Sequence, residues 1–228
     1  MSKLIYTGKT KDVFDNEDGT YILKLKDDAT GKDGVFDPGE NTVGLQIQGL
    51  GRASLLLSKY YFEKLEAAGI PHHYVEADIS AATMRVKPAA LFGGGVEFIC
   101  RCRADGSFLR RYGSYTSFGA NLNYFVEATL KDDERGDPPI TKEVLTLLQI
   151  MTPEDFDICS NLTQNIARLI AADLETKGLE LFDMKVEFGK SDIGIMLIDE
   201  ISAGCMRVYR NGTPVAPMEM APLILGER

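Results

Sequence analysis

Three groups of residues in this chain have types and spacings that could do chemistry. The first is Asp183-Met-Lys-Val-Glu187, followed downstream by Asp199-Glu200. Asp183, Lys185 and Glu187 stand two residues apart, so a strand would carry all three on one face. Phe182, Met184, Val186 and Phe188 would take the other. That charged face could simply be solvated, or it could hold a cation. The apolar run Ile193 to Ile198 reads as buried on both faces, and it ends abruptly in the two acids. Carboxylates at the end of a buried strand suit Mg²⁺, which takes one or two of them and keeps its other positions for water and nucleotide phosphates. Glu187 and Asp199 are the candidate pair. A hairpin with an even loop and perfect pairing would turn Asp199 to the wrong face. A bulge, an odd loop or a position past the strand end removes that conflict.

The second group is Arg101-Cys-Arg-Ala-Asp-Gly-Ser-Phe-Leu-Arg-Arg111, read as a strand entering a Gly-Ser turn flanked by four arginines. Guanidinium forks match phosphate oxygens, and the Ser107 hydroxyl with loop amides could complete a cradle. A plain basic surface patch is the competing reading. The third group is Thr7-Gly-Lys-Thr-Lys11. Lys9 and Lys11 alternate, which puts both ammonium groups on one side of a strand. The spacing matches neither G-x-x-x-x-G-K-[ST] nor G-x-G-x-x-G, so an exposed hairpin competes with a phosphate loop.

The bulk composition limits what these groups can serve. With 34 acidic and 25 basic residues among 228, the formal net charge is −9. So acidic a chain is not expected to coat nucleic acid or an anionic membrane, although local cations can still gather phosphates. No run of 18 apolar residues occurs and no apolar segment follows Lys3, so a soluble, unexported, cytoplasmic protein is expected. Cys100, Cys102, Cys159 and Cys205 lack the spacing of a metal site and are expected to be reduced and mostly buried. The adjacent His72 and His73 fit a loop or strand start better than catalysis.

The elements that must position these groups follow from periodicity and punctuation. Leu4–Tyr6 and Val13–Phe14 flank the lysine stretch as short strands, Asn16–Gly19 is a turn, and Tyr21–Lys26 alternates as a strand. Asp27–Gly34 is polar and glycine-bearing and reads as a loop. Leu55, Leu56, Tyr60, Phe62 and Leu65 recur at helical spacing within Arg52–Ala68, which Gly69 and Pro71 stop. Met84–Lys87 and Val96–Arg101 read as strands around a candidate hinge, Pro88–Gly95. Thr152-Pro-Glu-Asp155 opens a helix with an N-cap, a proline at the first position and an acid at the third. That helix runs to Lys177 and ends at Gly178. Leu179–Phe188, a turn at Gly189–Asp192 and the run to Ile198 form a hairpin.

Seven segments occur in an order that resembles one family: GKTKDVF, LKLKDDATGKDG, EKLEAAGIP, VEFICRCRADGSFLRR, LKDDERGDPPIT, LFDMKVEFG and IDEIS followed by Arg207. The resemblance is to SAICAR synthetase (phosphoribosylaminoimidazole-succinocarboxamide synthase) and covers essentially the whole chain. It implies a two-lobed α+β fold, kinase- or ATP-grasp-like, with a small antiparallel-sheet lobe over residues 1–90 that covers ATP and a larger α+β catalytic lobe over 91–228. It implies ATP and Mg²⁺ as cofactors, with an imidazole ribonucleotide and L-aspartate as small-molecule substrates, and a homo-oligomer. By position, Gly8, Lys9 and Lys11 would approach the ATP phosphates, Asp33 and Gly34 would lie over the nucleotide, Lys87 would also bind it, and Glu97 would meet the adenine side. Glu187 and Asp199 would hold Mg²⁺. Arg101, Ser107 and Arg207 would bind the ribonucleotide phosphate, with Asp183 and Lys185 at the reacting groups. No protein nucleophile is needed, in keeping with the lack of a Cys-His or Ser-His arrangement.

Several positions depart from the family pattern. Ala203-Gly204 stand where Pro-Asp is usual, Val208-Tyr209 where Leu-Trp follows the arginine, and Cys102 and Asp105 where R-N-R-A-A-G-S has Asn and Ala. The ATP half reads as intact and the acceptor half as altered. Three functions fit this pattern: the family's own reaction, a related ATP-driven ligase with a different acceptor, and a non-catalytic nucleotide-binding relative.

Overall fold

A computed structural model describes residues 2–226. The chain forms two compact units. One takes the chain through Ala90, then Met196–Cys205 and the stretch from Ala216; the other takes Leu91–Ile195 and Met206–Val215. The first unit is thus discontinuous in sequence, whereas the sequence predicts a single cut at residue 90. Segments 196–205 and 216–226 leave the expected C-terminal lobe and join the N-terminal one.

The first unit opens with β1 (Lys3–Thr7), β2 (Lys11–Asp15), β3 (Tyr21–Leu25), β4 (Asp28–Lys32), β5 (Val35–Phe36) and β6 (Val43–Gln46). Helix α1 (Leu50–Ala67), β7 (Tyr74–Asp78) and β8 (Thr83–Val86) follow. An antiparallel sheet runs β1-β2-β3-β8-β7, and a small one runs β5-β4-β6. Leu23, Leu25, Met84 and Val86 alternate inward and are buried; β3 packs against α1, whose Leu55, Leu57, Tyr61, Phe62 and Leu65 are fully buried. The Asp27 carboxylate caps α1, accepting from the Gly49 and Gly51 amides at 2.9 and 3.0 Å. Asp27–Gly34, expected to be a loop, is mostly strand β4. Two glycines account for this: a Cβ at Gly31 would lie 2.2 Å from the Val35 carbonyl oxygen, and one at Gly44 would lie 2.3 Å from that of Gly31. Backbones this close need side-chain-free positions, which erase the apolar alternation that marks a strand.

At the unit boundary lies β9 (Ala90–Leu91). The second unit holds β10 (Val96–Arg103), α2 (Gly106–Tyr112), β11 (Asn121–Leu130), β12 (Pro139–Ile140), α3 (Lys142–Leu147), α4 (Pro153–Glu175) and β13 (Glu180–Ser191). Strand β14 (Gly194–Ile198) starts in this unit, which β15 (Met206–Arg210) and β16 (Thr213–Pro214) complete, and α5 (Pro217–Leu225) returns to the first. The sheet order is β12-β11-β10-β13-β15-β16. The capping box at Thr152 and Asp155 starts α4 as the sequence predicts. Ile166, Ile170 and Leu174 of α4 are fully buried, and Phe98 meets Phe156 and Phe188 at 5.3 and 5.7 Å between ring centroids.

Three further expectations are corrected. The Gly-Ser turn is the start of α2, because the Asp105 side chain accepts from the Gly106 amide at its N-cap. Strand β13 runs on to Ser191, so the turn is shorter than predicted. The return strand is not buried throughout: Ile193 is 72% exposed, while Met196 and Leu197 are buried. Among the described residues, no helix is long and apolar enough to cross a membrane.

Candidate active site

Register in the second unit's sheet puts its charged residues in rows. Glu97 of β10 lies opposite Thr129 of β11 and Glu187 of β13; Ile99 lies opposite Glu127 and Lys185; Arg101 lies opposite Phe125 and Asp183, which in turn faces Arg207 of β15. Directly opposed residues share a face of an antiparallel sheet, so these side chains form one polar surface. Phe98, Cys100, Met184 and Val186 point to the other face and are buried. The Asp183-Lys185-Glu187 face is therefore not the solvated one: Asp183 and Glu187 are themselves buried.

A buried charge must be paired and hydrogen-bonded to avoid a penalty of several kcal/mol, and each of these is. Arg101, 2% exposed, donates through Nε to Glu127 Oε1 at 2.9 Å, through Nη1 to Asp183 Oδ2 at 2.6 Å and through Nη2 to Ser107 Oγ at 2.7 Å. Arg207 Nη1 donates to the same Asp183 oxygen at 2.8 Å. Asp183 thus ties two of the predicted phosphate ligands together, and Arg101 ties in the third, Ser107. Gly106, at φ +51°, makes room for this: a Cβ there would sit 2.8 Å from the Arg207 guanidinium.

Two departures from the family pattern meet in this cluster. The Tyr209 hydroxyl donates to Asp105 Oδ2 at 2.9 Å. Tyr209 and Asp105 thus supply each other's hydrogen-bond partner. Burial first, and Asp105 second, raise the Tyr209 pKa well above that of an ordinary phenol, so its proton stays in that bond. Cys102 lies buried on the opposite face from Arg101, and no disulfide joins the cysteines.

Further along the rows, Lys185 Nζ donates to Glu97 Oε1 at 2.8 Å, and Thr129 Oγ1 donates to Glu97 Oε2 at 3.0 Å. Lys131 pairs with Glu187. Burial disfavours the Lys185 ammonium, but Glu97, with Glu187 near it, outweighs burial and raises its pKa. Lys185 is a permanent cation.

The first unit holds the other cluster. In the β1–β2 hairpin the Gly8 amide donates to the Lys11 carbonyl at 2.8 Å. A Cβ at Gly8 would approach that oxygen to 2.9 Å, so this tight turn requires glycine. Lys9 Nζ donates to the Asn41 carbonyl at 3.1 Å. Lys11 pairs with both Asp199 and Glu200. Burial opposes the Lys11 charge, and the two carboxylates overcome it and raise its pKa far above normal. Burial also pushes Glu200 up to about 7; the Asp199 charge adds to this, and Lys11 counters it. Asp199 lies one residue past β14 with φ +71°, and its carbonyl accepts from His73 Nε2 at 2.9 Å. It is thus a strand-end residue, one of the arrangements the sequence allows. Asp33 and Gly34 form the exposed β4–β5 turn, both at positive φ, and Lys87 is exposed one residue past β8.

The structure thus joins Arg101, Ser107, Asp183 and Arg207 in one network, Glu97 with Lys185, and Lys11 with Asp199. Glu187 belongs to the second unit and Asp199 to the first. Glu127 and Thr129 of β11 and Lys131 one residue past it also belong to this surface; they alternate as Asp183, Lys185 and Glu187 do, which is the signal in the sequence that could have found them. Gly204 lies in a 3-10 turn where its amide donates to Ser202 Oγ at 3.1 Å. Among the described residues, no group of three or more His, Cys, Asp or Glu side chains is arranged to cage a metal. The donors present, single carboxylates each beside a lysine, fit an ion such as Mg²⁺ that keeps water and phosphate ligands.

With this geometry in place, the chain can be set against known proteins. A family model described as SAICAR synthetase matches residues 4–219. The phosphoribosylaminoimidazole-succinocarboxamide synthase of Clostridium tetani is 53% identical over 224 residues, 97% of this chain and 99% of that protein. That of Finegoldia magna is 36% identical over 215 residues, covering 93% and 88%. Among solved structures, a type-2 SAICAR synthetase in complex with ADP superposes with a TM-score of 0.85 at 26% identity and covers 98% of both chains. A structural-genomics SAICAR synthetase gives 0.79 at 30% identity, covering 98% and 92%. The α+β fold is shared with these solved synthetases, and the relatives define a class of carbon–nitrogen ligases. The chain belongs to the SAICAR synthetase family.

Proposed function

We propose that the protein is an ATP-dependent carbon–nitrogen ligase of purine biosynthesis, joining carboxyaminoimidazole ribonucleotide to L-aspartate with release of ADP and phosphate. The observation that carries this reading is the Arg101–Asp183–Arg207 network with Ser107 at its edge, a phosphate-monoester receptor beside the permanent cation Lys185. Family membership and the Clostridium tetani relative support it, and the ADP-bound neighbour supports the nucleotide.

In this reading the cluster of Arg101, Ser107 and Arg207 forms the receptor for the ribonucleotide phosphate. Gly8, Lys9 and Lys11 approach the ATP phosphates, the Asp33-Gly34 turn covers the nucleotide, and Lys87 and Glu97 serve its binding. A carboxylate is a poor acyl donor until it is phosphorylated. The ATP γ-phosphoryl group passes to the ribonucleotide carboxylate, the aspartate amine attacks the acyl carbon, and phosphate leaves while the nitrogen loses a proton. Charge on the transferring group needs fixed cations. Lys185 supplies one and, because its pKa is raised, acts as a charge stabiliser rather than a base. Asp183 holds the two guanidinium groups in place near the reacting carboxylate. Glu187 and Asp199 would hold Mg²⁺, which when bound neutralises phosphate charge.

The test is purified protein with ATP, Mg²⁺, L-aspartate and the carboxylated ribonucleotide, following ADP and the succinocarboxamide product together. Equal formation of both is expected. ADP release only with other carboxylates would overturn this acceptor in favour of a related ligase, the reading that Gly204 in place of Asp would then support.

A further inference from the structure

Glu127 is a largely buried carboxylate on β11. Its Oε1 accepts from Arg101 Nε at 2.9 Å and lies 2.8 Å from Arg101 Nη2, while its Oε2 pairs with Arg111 of α2. All three nitrogens of Arg101 are therefore engaged: Nε and Nη2 by Glu127, Nη1 by Asp183, and Nη2 by Ser107 as well. A guanidinium with 2% exposure and acceptors on every nitrogen has little capacity left for a ligand. Its effect on Ser107 is specific. A hydroxyl has one hydrogen and two lone pairs. Ser107 Oγ accepts from Arg101, so its own hydrogen is turned away from that cation and is available to an incoming oxygen.

We infer that Glu127 is a positioning residue: it locks the Arg101 fork, and through it sets the Ser107 hydroxyl as a donor and the Asp183 carboxylate as the anchor of Arg207. Arg101 then acts as the frame of the phosphate receptor, and Ser107 and Arg207 make the direct contacts. The inference rests on the phosphate role proposed above for Ser107 and Arg207. Without Glu127 the fork loses the carboxylate that holds Nε and Nη2 together, and only Asp183 on Nη1 and the neutral Ser107 hydroxyl on Nη2 are left to fix it.

The test is calorimetric titration of the carboxylated ribonucleotide, in the presence of ADP, into wild type, Glu127→Gln, Glu127→Asp, Arg101→Lys and the double variant Glu127→Gln/Arg101→Lys. Glu127→Gln should weaken ribonucleotide binding by roughly tenfold or more, the loss expected of a charged hydrogen bond. ADP affinity should be unchanged, which a general loss of structure would not spare. Glu127→Asp keeps the charge but withdraws the carboxylate by one methylene; it should keep the fold and show a smaller loss. The double variant should be no weaker than Arg101→Lys alone, since Glu127 acts through Arg101. Unchanged ribonucleotide affinity in folded Glu127→Gln or Glu127→Asp, or losses that multiply in the double variant, would overturn the inference, as would a wild-type protein that does not bind the ribonucleotide. Binding that depends on Glu127 without product formation in the turnover assay would instead overturn the proposed reaction and leave this inference standing.

Discussion

At the scale of single residues, the site works by balancing charges that could not be buried alone. Lys11 faces Asp199 and Glu200, Lys185 faces Glu97, and Lys131 faces Glu187. Each carboxylate proposed to hold Mg²⁺ thus stands beside an ammonium group until the ion arrives. Glu187→Gln separates this role from stability. The amide keeps the shape of the side chain, and Lys131 is exposed enough for water to replace its lost partner. Turnover should be abolished and any Mg²⁺-induced rise in melting temperature lost, with the ion-free melting temperature nearly unchanged. A coupled ADP assay and melting curves with and without Mg²⁺ check this; wild-type rates would remove Glu187 from the site.

At the scale of elements, backbone proximity decides what the small β5-β4-β6 sheet tolerates. Gly44→Ala would place a methyl 2.3 Å from the Gly31 oxygen. The strands must separate, at the 1–3 kcal/mol typical of overpacking, so the melting midpoint should fall by roughly 5–10 °C. Gly34→Asn is the control, since it has nothing within 4 Å and its φ of +76° is one that asparagine accepts. Equal midpoints for the two variants would refute the packing argument. The same sheet shows where the sequence stops being legible. Elements with local signals were readable: α4 from Thr152-Pro-Glu-Asp155, and α1 from its apolar spacing. Strand β4 was not, because it is polar and meets its neighbour through Gly31 against Gly44 of β6, positions that carry no apolar signal. Nor was α2, whose start depends on one capping carboxylate. The shared face of Asp183, Lys185 and Glu187 could be read from alternation alone. That the face is buried could not, because the partners Arg101 of Asp183, Glu97 of Lys185 and Lys131 of Glu187 each lie more than 50 positions away, and only the β11-β10-β13 order brings them together.

At the scale of the whole molecule, His72 and His73 make the first unit sensitive to acid. Burial, above all, holds both imidazoles below the ordinary 6.5, with His73 lowered to about 4. At these two positions the unfolded chain therefore binds more protons than the folded one between these values, while Glu200, raised to about 7, does the reverse. The stability in question is complete above pH 6.5 and drains away as pH falls towards 4, by up to ~3 kcal/mol for His73. Melting temperature against pH carries this slope set against the opposing one of Glu200, and His73→Gln, whose amide can still donate to the Asp199 carbonyl, should remove the histidine part and leave the variant more stable relative to wild type as pH falls from 6.5 towards 4. An identical slope in that variant would place the acid sensitivity elsewhere.

The discontinuity of the first unit also has a consequence for how the chain is made. Lys11 emerges from the ribosome early, and its two carboxylate partners follow some 190 residues later; at 5–20 residues per second they arrive on the order of ten to forty seconds afterwards. His73 waits similarly for Asp199, and Ser58 for Ile201, from which it accepts a hydrogen bond at 3.2 Å. The uninterrupted stretch Leu91–Ile195 can collapse while the segments that complete the other unit are still being synthesised. The half of the protein that begins the sequence is therefore the half that finishes last.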